Sequence, residues 1–214
     1  MYPLGMTRPL AVAVAIATLA APSVADAASL ITKPVKACYR SGETVSFIGG
    51  DFTAGGSVNL TRGSTFISSI PADGAGRFDA PLRLLLDRGR EERTYTATDA
   101  SNPGLSASVP VMVSAVGVRL SPGTGPVSRR FRIRARGFTT GRTLWAHVIY
   151  KRSKRHLRIG RLKGACHDLR ARRRLLPRNA GFGRHRIQFD TFRRYRATRA
   201  VKSSYSIRVV RGAR

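Results

Sequence analysis

A strict alternation of apolar and charged residues in the middle of the chain constrains the fold more than any other feature. Phe131, Ile133 and Ala135 alternate with three arginines over Phe131–Arg136. Successive side chains of a β-strand point to opposite faces, so this pattern predicts a strand with one face in a core and the other in solvent.

Similar patterns recur along the chain. Alternation is found at 44–47, 93–98, 186–189 and 204–209, whereas Leu144–Tyr150 is a more continuously apolar run, typical of a strand covered on both sides. Segments rich in Gly, Pro, Asn and Ser lie between the strands and favour turns. No segment has a convincing helical pattern. Short strands at this spacing predict an all-β chain built as a β-sandwich.

An internal repeat divides the chain. Gly49–Gly55 is echoed by Ala135–Gly141, and Tyr95–Asp99 is echoed by Arg186–Asp190. The two echoes have nearly the same offset, 86 residues for the phenylalanines and 91 for the aspartates. This predicts tandem copies of one fold, at 29–114 and 115–214, with chance similarity of two glycine-rich turns as the alternative.

The opening of each half carries a resemblance to a known family. Leu120–Gly123, the alternating strand after it and Gly137-Phe138 resemble the opening of bacterial immunoglobulin-like domains of the IPT/TIG kind. Pro34, Gly42–Val45 and Gly49–Phe52 resemble the same opening in the first half. The resemblance implies two tandem immunoglobulin-like β-sandwich domains. The second half departs from it in the arginine-rich segment Lys151–Arg174, which such domains do not require.

The first residues have the features of a secretory signal peptide, predicted at 1–28. Arg8 supplies a positive charge, Leu10–Ala21 is apolar, and Ala25-Asp26-Ala27 has the small-residue pattern of a cleavage site. Twelve apolar residues span only about 18 Å as a helix, against ~30 Å of bilayer hydrocarbon. We therefore expect cleavage rather than anchoring, and a secreted or envelope-associated protein without a transmembrane segment in the mature chain.

Charge is distributed very unevenly between the halves. Residues 29–114 contain nine basic and eight acidic residues, whereas 115–214 contain 29 basic and two acidic residues, a net charge of +27. Such a surface favours anionic cell-surface polymers or anionic lipid headgroups as partners. The predicted polyanion-binding residues are Lys151, Arg152, Lys154, Arg155, Arg158, Arg161, Lys163, Arg170, Arg172, Arg173 and Arg174.

Other readings of this charge remain open. Only six of the 39 basic residues are lysine, so the arginine richness could be compositional, on a solvated face with no ligand. An unknown protein partner is a further alternative. Trp145 and the scattered Tyr and Phe residues occupy predicted core positions, so there is no platform for base stacking. This argues against specific nucleic-acid recognition.

Little in the chain indicates catalysis, and no cofactor or metal is expected. Cys166-His167-Asp168 has the residue types of a nucleophilic site, but adjacent strand residues point to opposite faces. The other histidines show no metal-ligand spacing. Glu91-Glu92, flanked by arginines, reads as a solvated turn.

The two cysteines, Cys38 and Cys166, lie in different halves. In an exported chain they could pair across the domain boundary, with free thiols or an intermolecular bridge as alternatives.

Together these features predict a non-catalytic, exported cell-envelope or extracellular binding module whose basic second domain engages anionic polymers or surfaces. The alternative is a structural spacer of the envelope with an unknown protein partner and incidental charge. A third reading is an extracytoplasmic enzyme that depends on Cys166.

Overall fold

The structure, a computed structural model, describes residues 27–150 and 153–211. Within these ranges every helix or strand is a β-strand, and sixteen strands form four sheets. The all-β prediction is therefore confirmed. The predicted signal peptide falls almost entirely outside the described residues, as do Lys151 and Arg152.

The first half contains eight strands in two sheets. They are β1 (Ser29–Lys33), β2 (Tyr39–Arg40), β3 (Thr44–Gly50), β4 (Ser57–Arg62), β5 (Thr65–Pro71), β6 (Phe78–Arg83), β7 (Arg90–Asp99) and β8 (Ser106–Ser114). One sheet has the order β1-β3-β6 and the other β2-β8-β7-β4-β5. All neighbours are antiparallel except β2 and β8, which are parallel.

The second half repeats this arrangement strand for strand. Its strands are β9 (Gly117–Ser121), β10 (Thr124–Gly125), β11 (Arg130–Arg136), β12 (Thr143–Tyr150), β13 (Ser153–Arg161), β14 (Leu169–Arg174), β15 (Gly183–Asp190) and β16 (Ser203–Val209). The sheets are β9-β11-β14 and β10-β16-β15-β12-β13, with β10 parallel to β16. Two facing, largely antiparallel sheets connected in this order make each half an immunoglobulin-like β-sandwich.

Each half has its own cluster of buried apolar residues. In the first, Phe47 and Tyr95 face each other from opposite sheets, with ring centroids 4.6 Å apart. In the second, Phe131, Phe138 and Phe189 are all fully buried. One cluster runs from Leu30 to Val113 and the other from Leu120 to Val209.

The repeated Gly-Phe motif follows from one backbone turn. Gly137 has φ +73°, and a Cβ at this position would lie 2.5 Å from the Ala115 carbonyl oxygen. Asp51 occupies the corresponding place before Phe52 with φ 66°. Asp is one of the few non-glycine residues that adopt this left-handed conformation readily, which explains why the two copies differ here.

Two sequence-based expectations are wrong. Glu91 and Glu92 lie in strand β7, where they pair with Val113 and Met112 of β8, and not in a turn. Trp145 is half-buried on the outer face of β12, because its strand neighbours Leu144 and Ala146 fill the core side. The arginine-rich segment after β13 contains strand β14, the counterpart of β6 in the first half.

The two halves are linked covalently and by polar contacts. Cys38 and Cys166 form a disulfide, with Cα atoms 5.1 Å apart. Arg90 of β7 donates to Asp168 at 3.2 Å, and the Ala115 amide donates to the Gly89 carbonyl at 3.0 Å. These contacts hold the first half beside one end of the β9-β11-β14 sheet, where β9 and β14 begin and β11 ends. Among the described residues, no helix has the length and apolar character needed to cross a membrane.

Candidate anion-binding face

The outer surface of the β9-β11-β14 sheet is covered by arginine side chains. On β11 the core residues Phe131, Ile133 and Ala135 are buried, and the residues between them are exposed. Strand pairing places arginines of both neighbours on the same side. We call this surface the arginine face; it consists of Arg119, Arg130, Arg132, Arg134, Arg136, Arg170, Arg172 and Arg174, all of which are exposed.

The arginines stand directly opposite one another across the strands. Arg132 pairs with Arg172, and Arg134 pairs with Arg170 on one side and Arg119 on the other. Arg130 pairs with Arg174 at the far end. Neighbouring strands lie about 4.8 Å apart and same-face residues about 6.8 Å apart along a strand, so the charges form a regular two-dimensional array.

The carboxylates of the second half form no ion pair with this array within the described residues. Like charges directly opposite each other across a sheet are destabilising. Of the two acidic residues in 115–214, Asp168 pairs with Arg90 and Asp190 is fully buried. Among the described residues, no arginine of the face takes part in an ion pair. The face is therefore an excess of positive charge open to solvent.

Two shallow depressions interrupt the arginine face. One lies between β9 and β11 and is lined by Arg119, Ser121, Arg132 and Arg134. The second lies at the junction of the halves, where Arg90 joins Arg134, Arg136 and Arg170 around Asp168. The first offers three guanidinium groups to one anion, the arrangement that favours bidentate binding of phosphate or carboxylate, whereas the second already holds the carboxylate of Asp168.

The structure separates the basic residues that the sequence grouped together. Arg170, Arg172 and Arg174 lie on the arginine face, whereas Arg173 pairs with Phe131 and is on the opposite side of β14. Lys154, Arg158 and Arg161 lie on the outer surface of the five-stranded sheet, and Arg155, opposite the buried Val148, lies on its inner side at the edge. Lys163 bridges through its backbone to Asp168.

Five members of the arginine face were absent from the predicted set. These are Arg119, Arg130, Arg132, Arg134 and Arg136. Arg132, Arg134 and Arg136 belong to the alternating strand Phe131–Arg136, so the pattern itself already placed these three on a solvent face, and Arg130 directly precedes that strand. What the pattern could not show is that β9 and β14 flank this strand and extend its charged side.

The Cys166-His167-Asp168 segment forms a structural turn. Cys166 is in the disulfide and so has no thiol to act as a nucleophile. His167, with φ 53°, donates from Nδ1 to the carbonyls of Phe138 at 3.0 Å and Gly141 at 2.9 Å. These contacts fix the loop after the Gly-Phe turn.

A buried polar network lies on the outer side of the five-stranded sheet. His147 donates from Nε2 to Asp190 at 3.1 Å, and its Nδ1 lies 2.8 Å from Nδ1 of His156. Gln188 and the Phe192 amide also donate to Asp190, each at 2.8 Å. Burial opposes ionisation of Asp190, but these hydrogen bonds outweigh it and hold its pKa below the usual value.

The first half has a simpler version of this network. Asp99 ends β7 as Asp190 ends β15, and it accepts hydrogen bonds from the Ser101 hydroxyl at 2.7 Å and the Thr53 amide at 2.8 Å. These bonds place the pKa of Asp99 well below its ordinary value. Both aspartates therefore fasten the loop that follows their strand.

No protein-family model matches the sequence, and no curated protein matches it. The solved structures to which the chain is similar include the Yersinia pseudotuberculosis adhesin InvE, at 10% identity and TM-score 0.33 over 85% of this chain and 58% of that one. The chain is also similar to the fibronectin(III)-like modules of Clostridium thermocellum CbhA, at 16% identity and TM-score 0.29 over 85% of this chain and 93% of that one. A further similar structure is red sea bream transglutaminase, at 11% identity and TM-score 0.31 over 86% of this chain and 31% of that one. The chain thus spans less than two thirds of the adhesin and of the transglutaminase.

Proposed function

We propose that the protein is a non-catalytic, exported binding module whose second half engages an anionic polymer of the cell envelope through the arginine face. The observation that carries this proposal is the set of arginines paired in register, none of which forms an ion pair within the described residues. Such pairs weaken the sheet unless an anion lies between them. A bound polymer would supply that anion.

The geometry of the face suits an extended chain of phosphate or carboxylate groups. The arginines are regularly spaced both across and along the strands, so a polymer lying on the face meets several guanidinium groups at once. Each guanidinium can bind one anionic group through two hydrogen bonds. Arginine also loses less hydration than lysine on contact, which favours it at such sites.

The organisation of the chain fits this role. We place a signal peptide at 1–28, a near-neutral domain at 29–114 and the basic binding domain at 115–214. The separate apolar clusters of the two halves support a boundary near Ser114. The disulfide between Cys38 and Cys166 supports an oxidising, extracytoplasmic location, because such bonds form and persist there.

The test compares two variants of the full chain with equal loss of charge. The first changes Arg132, Arg134 and Arg172 of the arginine face to Ser. The matched control changes Arg184, Arg186 and Arg208 to Ser, since these are exposed arginines on the outer side of the other sheet. Binding to anionic polymers of equal charge density is measured by calorimetry across a salt series.

We expect one polymer to bind more tightly than the others, and the arginine-face variant alone to lose that preference. If about six anionic groups are engaged, the slope of log affinity against log salt is about −4 to −5, and it becomes shallower by two to three in the face variant. Equal losses in both variants, with no preferred polymer, would contradict the proposal and leave only a general surface charge.

A second candidate function is a structural spacer with a protein partner. The disulfide and the contact between Arg90 and Asp168 favour it, because both hold the halves in one arrangement. Small-angle scattering with and without reductant tests this reading. A spacer should keep one overall dimension while the bridge is intact and should bind no polymer selectively.

A further inference from the structure

The end of the second half that lies away from the first half carries an open groove. The loops there connect β10 to β11 and β14 to β15, and Val210 and Arg211, which follow β16, lie beside them. The groove has a volume of about 860 Å³, within the range that small-molecule sites occupy. It is distinct from both depressions of the arginine face, although Arg174 borders both surfaces.

The groove has apolar side chains that solvent can reach. Val127, Phe182 and Val210 line it together with Leu176, which is itself buried. Phe182 is 65% exposed and Val210 is 40% exposed. Within the described residues of the second half, only Phe192 is another large apolar side chain with comparable exposure, so exposed apolar surface is concentrated at this groove. Contiguous apolar surface of this kind marks a binding site more often than chance exposure does.

Four arginines surround the apolar part. They are Arg155, Arg174, Arg178 and Arg211, and no acidic residue is among the lining side chains. The guanidinium of Arg211 lies 5.5 Å from the centre of the Phe182 ring, so charge and apolar surface are in direct contact. A ligand for this groove therefore needs both an anionic group and a hydrocarbon portion.

We propose that the groove binds an anionic amphiphile, a single hydrocarbon chain with a phosphate or carboxylate head. The head lies among the arginines and the chain covers Phe182 and Val210. An anionic polymer without apolar groups would leave those two side chains exposed to water. This site goes beyond the polymer-binding role proposed for the arginine face and does not depend on it.

The chain-length dependence of binding tests the proposal. Hexyl, octyl and decyl phosphate are titrated into the full chain by calorimetry, below the concentrations at which they form micelles, with inorganic phosphate as the reference. Burial of each additional methylene should tighten binding about two- to fourfold. Inorganic phosphate should bind more weakly than all three.

Matched variants locate the site. Phe182→Ser should abolish most of the chain-length dependence, and Arg178→Ser should weaken all three ligands by a similar factor. Phe192→Ser is the control, because Phe192 is an exposed phenylalanine of the same half that lies over Arg199, outside the groove. It should leave binding unchanged. Trp145 fluorescence during urea unfolding verifies that each variant is folded.

The outcomes separate this proposal from the polymer-binding one. The arginine-face variant should keep the dependence on chain length, and Phe182→Ser should keep polymer binding. Equal affinity for the three alkyl phosphates, an unchanged response in Phe182→Ser, or binding only to anionic vesicles and not to monomeric amphiphile would each overturn the proposal.

Discussion

Reversing one charge at the centre of the arginine face should make the second half more stable. In Arg132→Glu, a carboxylate replaces a guanidinium directly opposite Arg172, with Arg119 diagonally across on β9. Cross-strand charge pairs contribute roughly 0.2–1 kcal/mol each. Removing one repulsion and adding one attraction therefore predicts a gain of about 1 kcal/mol in the free energy of unfolding.

Urea unfolding followed by tryptophan fluorescence measures this change in the second half alone. Trp145 is the single tryptophan of the chain and lies in β12, away from the arginine face. At low ionic strength the midpoint should rise, and in about 1 M salt, where the screening length is about 3 Å, most of the gain should disappear. Arg132→Gln, which removes the repulsion without adding an attraction, should show about half the gain.

The same substitution should weaken polymer binding, so stability and affinity should change in opposite directions. The reasoning fails if Arg132→Glu unfolds at lower urea than the parent chain. It also fails if the gain is equal at low and high salt, because the effect would then not be electrostatic.

Three further predictions concern the bridge and the buried network. The intact mass of the chain should rise by about two daltons on reduction; an unchanged mass would mean that Cys38 and Cys166 are not paired. Replacing both cysteines with alanine should lower the free energy of unfolding by up to about 5 kcal/mol in urea, from the chain-entropy estimate for a bridge spanning 128 positions. A change in the free energy of unfolding below 1 kcal/mol would show that the unfolded chain gains little conformational entropy when the bridge is removed. The lowered pKa of Asp190 contributes stability above its unfolded value near pH 4, and this contribution should be lost as the pH falls below it. Asp190→Asn should lower the free energy of unfolding by about 1–3 kcal/mol at neutral pH. It should also make that free energy, followed by Trp145 fluorescence, depend less on pH in the acid range. If the variant and the parent chain lose stability in parallel as the pH falls, the acid dependence comes from other groups.

Local patterns in the sequence predicted the strands because alternation is a property of neighbouring residues. Phe131–Arg136 was identified as a half-buried strand from its own residues, and the repeated glycine and phenylalanine positions came from one local turn. The arginine face could be predicted only in part. It depends on which strands flank β11 and in which register. Pairing between residues as distant in sequence as Arg132 and Arg172 cannot be predicted from the pattern of a short segment.

The outer side of the five-stranded sheet shows a second limit. Trp145 was assigned to the core because large aromatic residues in strands usually lie there. In the structure the core side of β12 is filled by smaller residues, and the polar side holds His147 against Asp190 under the loop after β15. Coverage of a sheet face by a distant loop is a tertiary feature, so strand periodicity could not show it.

The bridge between Cys38 and Cys166 also decides how the chain would respond to pulling at its ends. Force applied to the two termini passes directly through the disulfide, so the 127 residues between the cysteines carry no load while it is intact. At 3.3–3.6 Å per extended residue, about 440 Å of chain is withheld from extension. Most of the first sandwich and half of the second are thereby shielded from mechanical unfolding, and reduction would expose both to the load.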